Sequence, residues 1–276
     1  MTAYRDLVAA ARADERTLVR VEREGVRARV TLCEPARLNP LSAALTMQLQ
    51  DALEELVADA EVRTIVLTGE DPAFSAGGDL EMIASGSRAV RDAADPSDTT
   101  EPWRWIRRQF GGIVRTIAGA EQAFVAAING PAAGVGLAFA LACDVLIASD
   151  RALLVPAFGR LGLVPEVGTS WLMTRRLGYH GALAVAVEGR PIAAEEAARL
   201  GLVQQVCPHE RLLEEAHAWC ERVEALPPHL FPMTKRVLRG AADMSWHEAL
   251  TMEEFAEPNV FSVASVSEAA DAIRRS

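Results

Sequence analysis

Apolar and polar residues alternate along residues 18–24 and 26–33, on either side of Glu24-Gly25, and a period of two on both flanks of a glycine predicts an antiparallel hairpin. The period then changes. Leu45, Leu49, Leu53, Leu56 and Val57 recur at helical spacing behind Ser42, which can cap a helix running to about Asp59. Residues 62–68 read as a buried strand, 69–78 as a loop, and a short helix follows from Asp79. Residues 85–102 are rich in Ser, Asp, Thr and Pro without an apolar period, which predicts a mobile segment. A helix over about 103–119 then precedes a strand at 123–129, a glycine-bearing loop, a helix near 134–142 and a strand at 145–148. Strands alternating with helices predict an α/β layered core. Beyond Gly168 the pattern is mainly helical, over about 168–177, 181–187, 194–200, 210–224 and 232–240, and predicts a helical layer over the sheet or over a neighbouring subunit.

Composition sharpens this reading at one place. Residues 124–149 are apolar enough to raise the question of a bilayer span, but Asn129, Gly130, Pro131, Gly134, Gly136 and Asp144 interrupt them. A strand, loop, helix and strand inside a core fit better, and a 276-residue chain that is 50% apolar can build such a core. The net charge of −10, with Arg and Lys scattered, gives no footprint for nucleic acid or an anionic membrane. Cys33, Cys143, Cys207 and Cys220 stand far apart with no C-x-x-C pair, as reduced core thiols of a cytoplasmic protein would. The first sixteen residues carry acids and arginines through their apolar positions, so no signal-peptide core is expected there.

Chemistry concentrates in three stretches. Residues 73–80 (AFSAGGDL) and 129–136 (NGPAAGVG) each follow a strand and lead into a helix, so small side chains leave backbone N–H groups open to an anionic oxygen. Two such amides converging make an oxyanion hole, whereas each loop alone reads as a tight turn. Neither loop has the spacing of a phosphate loop or a dinucleotide fingerprint. In the third stretch, residues 161–170, Glu166 stands alone among apolar neighbours just before a helix. Desolvation would raise its pKa and the helix terminus would lower it, leaving a poised base or an ordinary capping carboxylate. The five histidines show no metal-ligand spacing, so no metal is expected, and Ser75 has no triad context. Asp144 reads as a hydrogen-bonded structural acid, and Trp103 and Trp105 straddle a helix so that at most one lines a pocket.

Taken in order, AFSAGGDL, NGPAAGVGLAFALACD, LLVPAFGRLGLVPEVGTSWL and EGRPIAAEEAARLGLVQQV resemble the enoyl-CoA hydratase/isomerase (crotonase) superfamily over roughly residues 18–240. The resemblance implies a ClpP/crotonase-like α/β spiral of ββα units at residues 1–200 and a helical region for trimerisation or cover at 201–276. It implies a homotrimer or hexamer acting on an acyl-CoA thioester, with coenzyme A part of the substrate and no separate cofactor. The oxyanion amides would be those of Ala76 and Val135, and Pro40, Ser75, Gly78, Asp79, Leu80, Gly134, Ala157, Pro165 and Lys235 would contact substrate or CoA. Lys235 matches a lysine that reaches a CoA phosphate, although on its own it reads as part of a solvated helix face.

The departures from the family pattern separate its activities. The two glutamates with which hydratases activate water fall on Ala138 and Ala157, and a lysine that helps hold CoA falls on Glu81. Glu166 falls where enoyl-CoA isomerases carry a single acidic base and where related dehalogenases carry a nucleophilic aspartate. One carboxylate suffices to move a proton from C2 to C4 of a 3-enoyl-CoA. Isomerisation is therefore the expectation, with hydration by Glu166 alone and a non-catalytic acyl-CoA binder as alternatives.

Overall fold

The computed structural model describes residues 4–91, 100–261, 266–267, 271 and 273–274. After helix α1 (Tyr4–Arg12), strands β1 (Val19–Glu24) and β2 (Arg27–Leu32) form the expected hairpin about Gly25. Ala28, Val30 and Leu32 of β2 are buried, whereas β1 is an exposed edge. A two-residue strand, β3 (Pro40–Leu41), precedes α2 (Ala43–Ala58), where the Leu45 amide donates to the Ser42 hydroxyl as predicted for the cap (3.2 Å).

Next come β4 (Thr64–Gly69), β5 (Gly77–Gly78) and α3 (Leu80–Arg91). The segment expected to be irregular is helical over its first part, because residues 85–91 complete α3; residues 92–99 lie outside the described residues. Helix α4 (Thr100–Trp105) passes through a π-helical turn at Ile106–Phe110 into α5 (Gly111–Gly119). Then follow β6 (Ala123–Ile128), β7 (Ala132–Ala133), α6 (Val135–Ala142), β8 (Val145–Ser149) and β9 (Leu153–Val155). Every residue of β6, α6 and β8 is buried, which accounts for an apolar run as long as a membrane span. Among the described residues no helix is long and apolar enough to cross a membrane.

The last part holds α7 (Thr169–Glu188), kinked at Gly178, then β10 (Ile192–Ala193), α8 (Ala194–Arg199) and β11 (Gln205–Cys207). Helices α9 (Leu212–Glu224), α10 (Leu230–Ala241) and α11 (Trp246–Phe261) follow. The main sheet has the order β1-β2-β4-β6-β8-β11 and is parallel from β2 onward. Strand β11, missed because three residues carry too little period, is therefore an edge strand of this sheet. A division at residue 200 does not separate sheet from helical layer.

Both faces of the sheet are covered, as a parallel sheet requires. Ile65 and Leu67 join the large core with α2, α5 and α6, while Val66, Val125, Ala127 and Ile147 face Leu212, Ala216 and Cys220 of α9. Glu224 fixes that helix to the sheet, accepting from Thr64 Oγ1 (2.6 Å) and pairing with Arg27 (2.8 Å). Smaller sheets, β10-β9-β7 and β3-β5, lie outside the main one. They carry the chemistry-bearing loops.

Candidate active site

The two glycine loops singled out in the sequence are stitched together by backbone bonds. Ser75 donates its N–H to the Pro131 carbonyl (3.0 Å) and accepts from the Ala133 amide (2.9 Å), so the first glycine loop runs as a bridge beside the second. The second loop continues as β7, parallel to β9, and Gly134 donates to the Val155 carbonyl (3.0 Å). Two glycines permit this approach. Gly77 has φ +85°, and a Cβ there would meet the Ala133 carbonyl; one at Gly136 would meet the Ser75 side chain.

These loops open onto a cavity of about 1020 Å³. Gly78, Gly134, Val135, Ala157 and Glu166 line it, as do Ala76 and Leu80. Helix α3 adds Met82 and Ile83, while Phe158, Leu163 and Val164 come from the segment before α7. Trp105, only 5% exposed, lines the cavity and Trp103, 55% exposed, does not, as their opposed helix positions required. Arg88 and Arg91 of α3 also reach the lining. Sequence reasoning missed them because it read residues 85–91 as irregular; their three-residue spacing on a helix is the signal that places both on one side.

Val135 is the first residue of α6, so its N–H has no carbonyl of its own helix to bond and sits at the positive end of the helix dipole. Ala76, the other expected donor, is engaged elsewhere: its N–H donates to the Leu38 carbonyl (2.7 Å). That carbonyl is presented by a left-handed turn, with φ +63° at Leu38 and +53° at Asn39. Asn39 holds the turn from within the core, donating to the Glu70 (2.8 Å) and Ala73 (2.7 Å) carbonyls and accepting from the Glu34 amide (2.8 Å). Sequence reasoning missed Asn39; an asparagine before a proline, next to a loop that needs positive φ, was the available signal.

Five expected contact residues do not line the cavity. Pro40 is buried in β3, and Pro165 sits beside Glu166 without lining. Ser75 is fully buried, its hydroxyl donating to the Asn39 carbonyl (2.8 Å) and accepting from the Gly77 amide (3.1 Å). Asp79 caps α3, accepting from the Glu81 (2.9 Å) and Met82 (3.1 Å) amides and pairing with Arg37 (2.6 Å). Lys235 is neither at a CoA phosphate nor solvated. Its ammonium donates to the Ile117 (3.1 Å) and Gln122 (2.9 Å) carbonyls and pairs with Asp144 (2.8 Å), all inside the fold.

Glu166 stands differently. It is half-buried, it is the one carboxylate among the described residues that line the cavity, and no hydrogen-bond or ionic partner meets it among those residues. Of the two opposing influences expected on it, desolvation prevails, and burial pushes its pKa above the ordinary glutamate value. The backbone there is strained: Val167, a β-branched residue, has φ +47°, and the Glu166 carbonyl accepts from the Thr169 amide (2.9 Å) as the chain turns into α7. Ala138 is fully buried on α6 outside the lining, and Ala157 lines the cavity with no titratable group. Among the described residues no three His, Cys, Asp or Glu side chains gather as metal ligands.

The chain is similar to known proteins in both sequence and shape. The family model for enoyl-CoA hydratase/isomerase matches residues 22–274. A 4-chlorobenzoyl coenzyme A dehalogenase-2 of Arthrobacter sp is 31% identical over 78% of this chain and 76% of its own. The 1,2-epoxyphenylacetyl-CoA isomerase of Escherichia coli is 30% identical over 81% of this chain and 82% of its own. The crystal structure of an enoyl-CoA hydratase from Bacillus anthracis superposes with a TM-score of 0.81 at 27% identity, covering 94% of this chain and 96% of that one. Its family-model match and its relatives show that the chain, with its α/β core and paired glycine loops, belongs to the enoyl-CoA hydratase/isomerase family, the crotonase superfamily of acyl-CoA enzymes.

Proposed function

We propose that this chain isomerises the double bond of an enoyl-CoA, with Glu166 carrying the proton and the amides of Val135 and Gly78 binding the thioester oxygen. One observation carries the reading: among the described residues a lone carboxylate without a partner, raised in pKa by burial, faces a cavity whose other wall is built from amide-bearing loops. The Glu166 carboxylate takes a proton from C2 of a 3-enoyl-CoA, and the C–H electrons move into the thioester carbonyl to give a dienolate. Two N–H groups stabilise its oxygen. The same carboxylic acid returns the proton at C4, the double bond now joins C2 and C3, and the carbonyl is restored. No water is consumed, in keeping with alanines at both positions where hydratases hold a water-activating glutamate.

In this reading Gly78 takes the role that the resemblance implied for Ala76. Pro40 has no N–H, which leaves the β3–β5 pairing to the peptide groups of Gly77. Because successive groups of a strand point to opposite sides, the Gly78 amide turns away from β3, and Gly78 lines the cavity. The test is product analysis by mass spectrometry on 2-enoyl- and 3-enoyl-CoA thioesters in heavy water, with Glu166→Gln alongside. Double-bond migration with deuterium uptake, lost in the variant, is the expected result. Water addition to the 2-enoyl thioester would replace isomerase by hydratase, and binding without exchange would leave an acyl-CoA binder.

A further inference from the structure

The cavity reaches a part of the chain that lies before the hairpin. Tyr4 and Leu7 of α1 line it beside Trp105 and Phe110. Helix α1 is tied down rather than loose. Arg12 pairs with Asp51 of α2 (3.1 Å), Ala11 is buried, and Tyr4 is held on three sides. Its hydroxyl accepts from Gln109 Nε2 (2.9 Å), its ring lies 6.3 Å from that of Trp105, and the Arg108 guanidinium lies 5.5 Å over its face.

Behind Tyr4 is a second cavity, of about 560 Å³, of opposite character. Arg12, Asp51, Glu54, Arg108 and Arg115 line it. Among the described residues Tyr4 alone lines both cavities. The ring therefore stands between an apolar space that a hydrocarbon tail would fill and a charged space that would penalise it through desolvation.

We infer that Tyr4 is the specificity-determining residue that ends the acyl cavity, restricting the enzyme to CoA thioesters whose apolar tail stops at its ring. The inference rests on the acyl-CoA reading above and adds the element that sets tail length. Each methylene that reaches apolar wall tightens binding about fourfold, so affinity climbs with chain length and then levels off where the tail meets Tyr4.

The experiment is calorimetric titration of the full chain with a series of saturated straight-chain acyl-CoA thioesters, which bind without reacting. The wild type is expected to plateau at one chain length. Tyr4→Phe keeps the ring and keeps that plateau. Tyr4→Ala moves it to longer chains, each added methylene in the vacated space gaining about fourfold, and Tyr4→Trp moves it to shorter ones. An unmoved plateau in both size variants, or a uniform weakening at every length, would overturn the inference. Failure of the wild type to bind any acyl-CoA would instead sink the acyl-CoA reading on which it rests.

Discussion

Asp144 and Glu166 are both drawn out of bulk water by folding, and the protein treats them in opposite ways. Asp144 follows α6, where its carboxylate accepts from the Phe124 amide (2.9 Å) and pairs with Lys235 (2.8 Å) and Arg239 (2.7 Å). The Glu166 carboxylate meets no partner among the described residues, and the backbone beside it is strained. A carboxylate held by an amide and two cations has both oxygens committed to donors and serves to hold the fold together. One left without donors has its two protonation states brought closer in free energy, which is the condition for taking up a proton and giving it back. In the proposed reaction the acid buried without partners, Glu166, carries the proton, while Asp144, buried with partners, holds the structure.

The largest effect that tests this contrast is on turnover. Glu166→Gln should lower isomerisation and C2 exchange by about 10²- to 10⁴-fold, the range for loss of a positioned acid or base. The variant should still fold, because a neutral amide removes a charge that burial disfavours. The sign can be checked against pH. Since the folded pKa of Glu166 is raised, ionisation opposes folding above its ordinary value of 4.5. Glu166→Gln should therefore be at least as stable as the wild type at neutral pH, with any advantage shrinking in acid. Marked loss of stability at neutral pH would mean that the carboxylate has a partner and that the contrast is wrong.

Asp144→Ala reverses the pattern. It leaves Lys235 and Arg239 without their counter-charge in the core, a change that costs about 3–5 kcal/mol, read as a lower urea midpoint. Val135→Pro should cost about 3–4 kcal/mol in transition-state stabilisation. Proline at the first helical position removes the N–H yet suits the turn, so acyl-CoA binding should survive while kcat falls. Val135→Ala, which keeps the amide, should change kcat little. On the pH profile of kcat/KM, the acid limb should lie above the 4.5 of an ordinary glutamate, since the base must be ionised to act. A limb at or below that value would require donors around Glu166.

Sequence period and glycine spacing made the core elements legible because each is long or sharply punctuated. The hairpin about Gly25, the Ser42 cap, and the strand, helix and strand of residues 123–149 lie close to where the pattern puts them. The three candidate stretches were legible for the same reason, and residues of each line the same cavity. What stayed hidden depends on contacts between distant parts of the chain. Strands β7, β9, β10 and β11 are two or three residues long and are fixed by their neighbours. The Ala76 amide is taken up by the left-handed turn at Leu38 and Asn39, and whether Lys235 meets solvent or Asp144 is decided by how α10 packs. Residue type named the candidates in each case, and only packing chose among them.

Asp79 gives the smallest effect and the finest test of that distinction. It lies one residue beyond Gly78, inside the glycine motif, and its place in the motif made it a candidate CoA contact. The structure gives its oxygens to the first turn of α3 and to Arg37 instead. Burial pushes its pKa up, but the Met82 amide and Arg37 outweigh that and hold it below the ordinary 3.8. Its contribution to stability is therefore present above 3.8 and lost as pH falls through the lower folded value. Asp79→Ala should cost about 1 kcal/mol, as loss of a helix cap does, and the deficit against wild type should shrink in acid. Asp79→Asn, which can still cap, should recover much of it. Acyl-CoA affinity should change alike for both variants and by little, because the carboxylate does not line the cavity. An affinity loss that Asn fails to restore would place the charge of Asp79 at the ligand and return it to the site where its motif had put it.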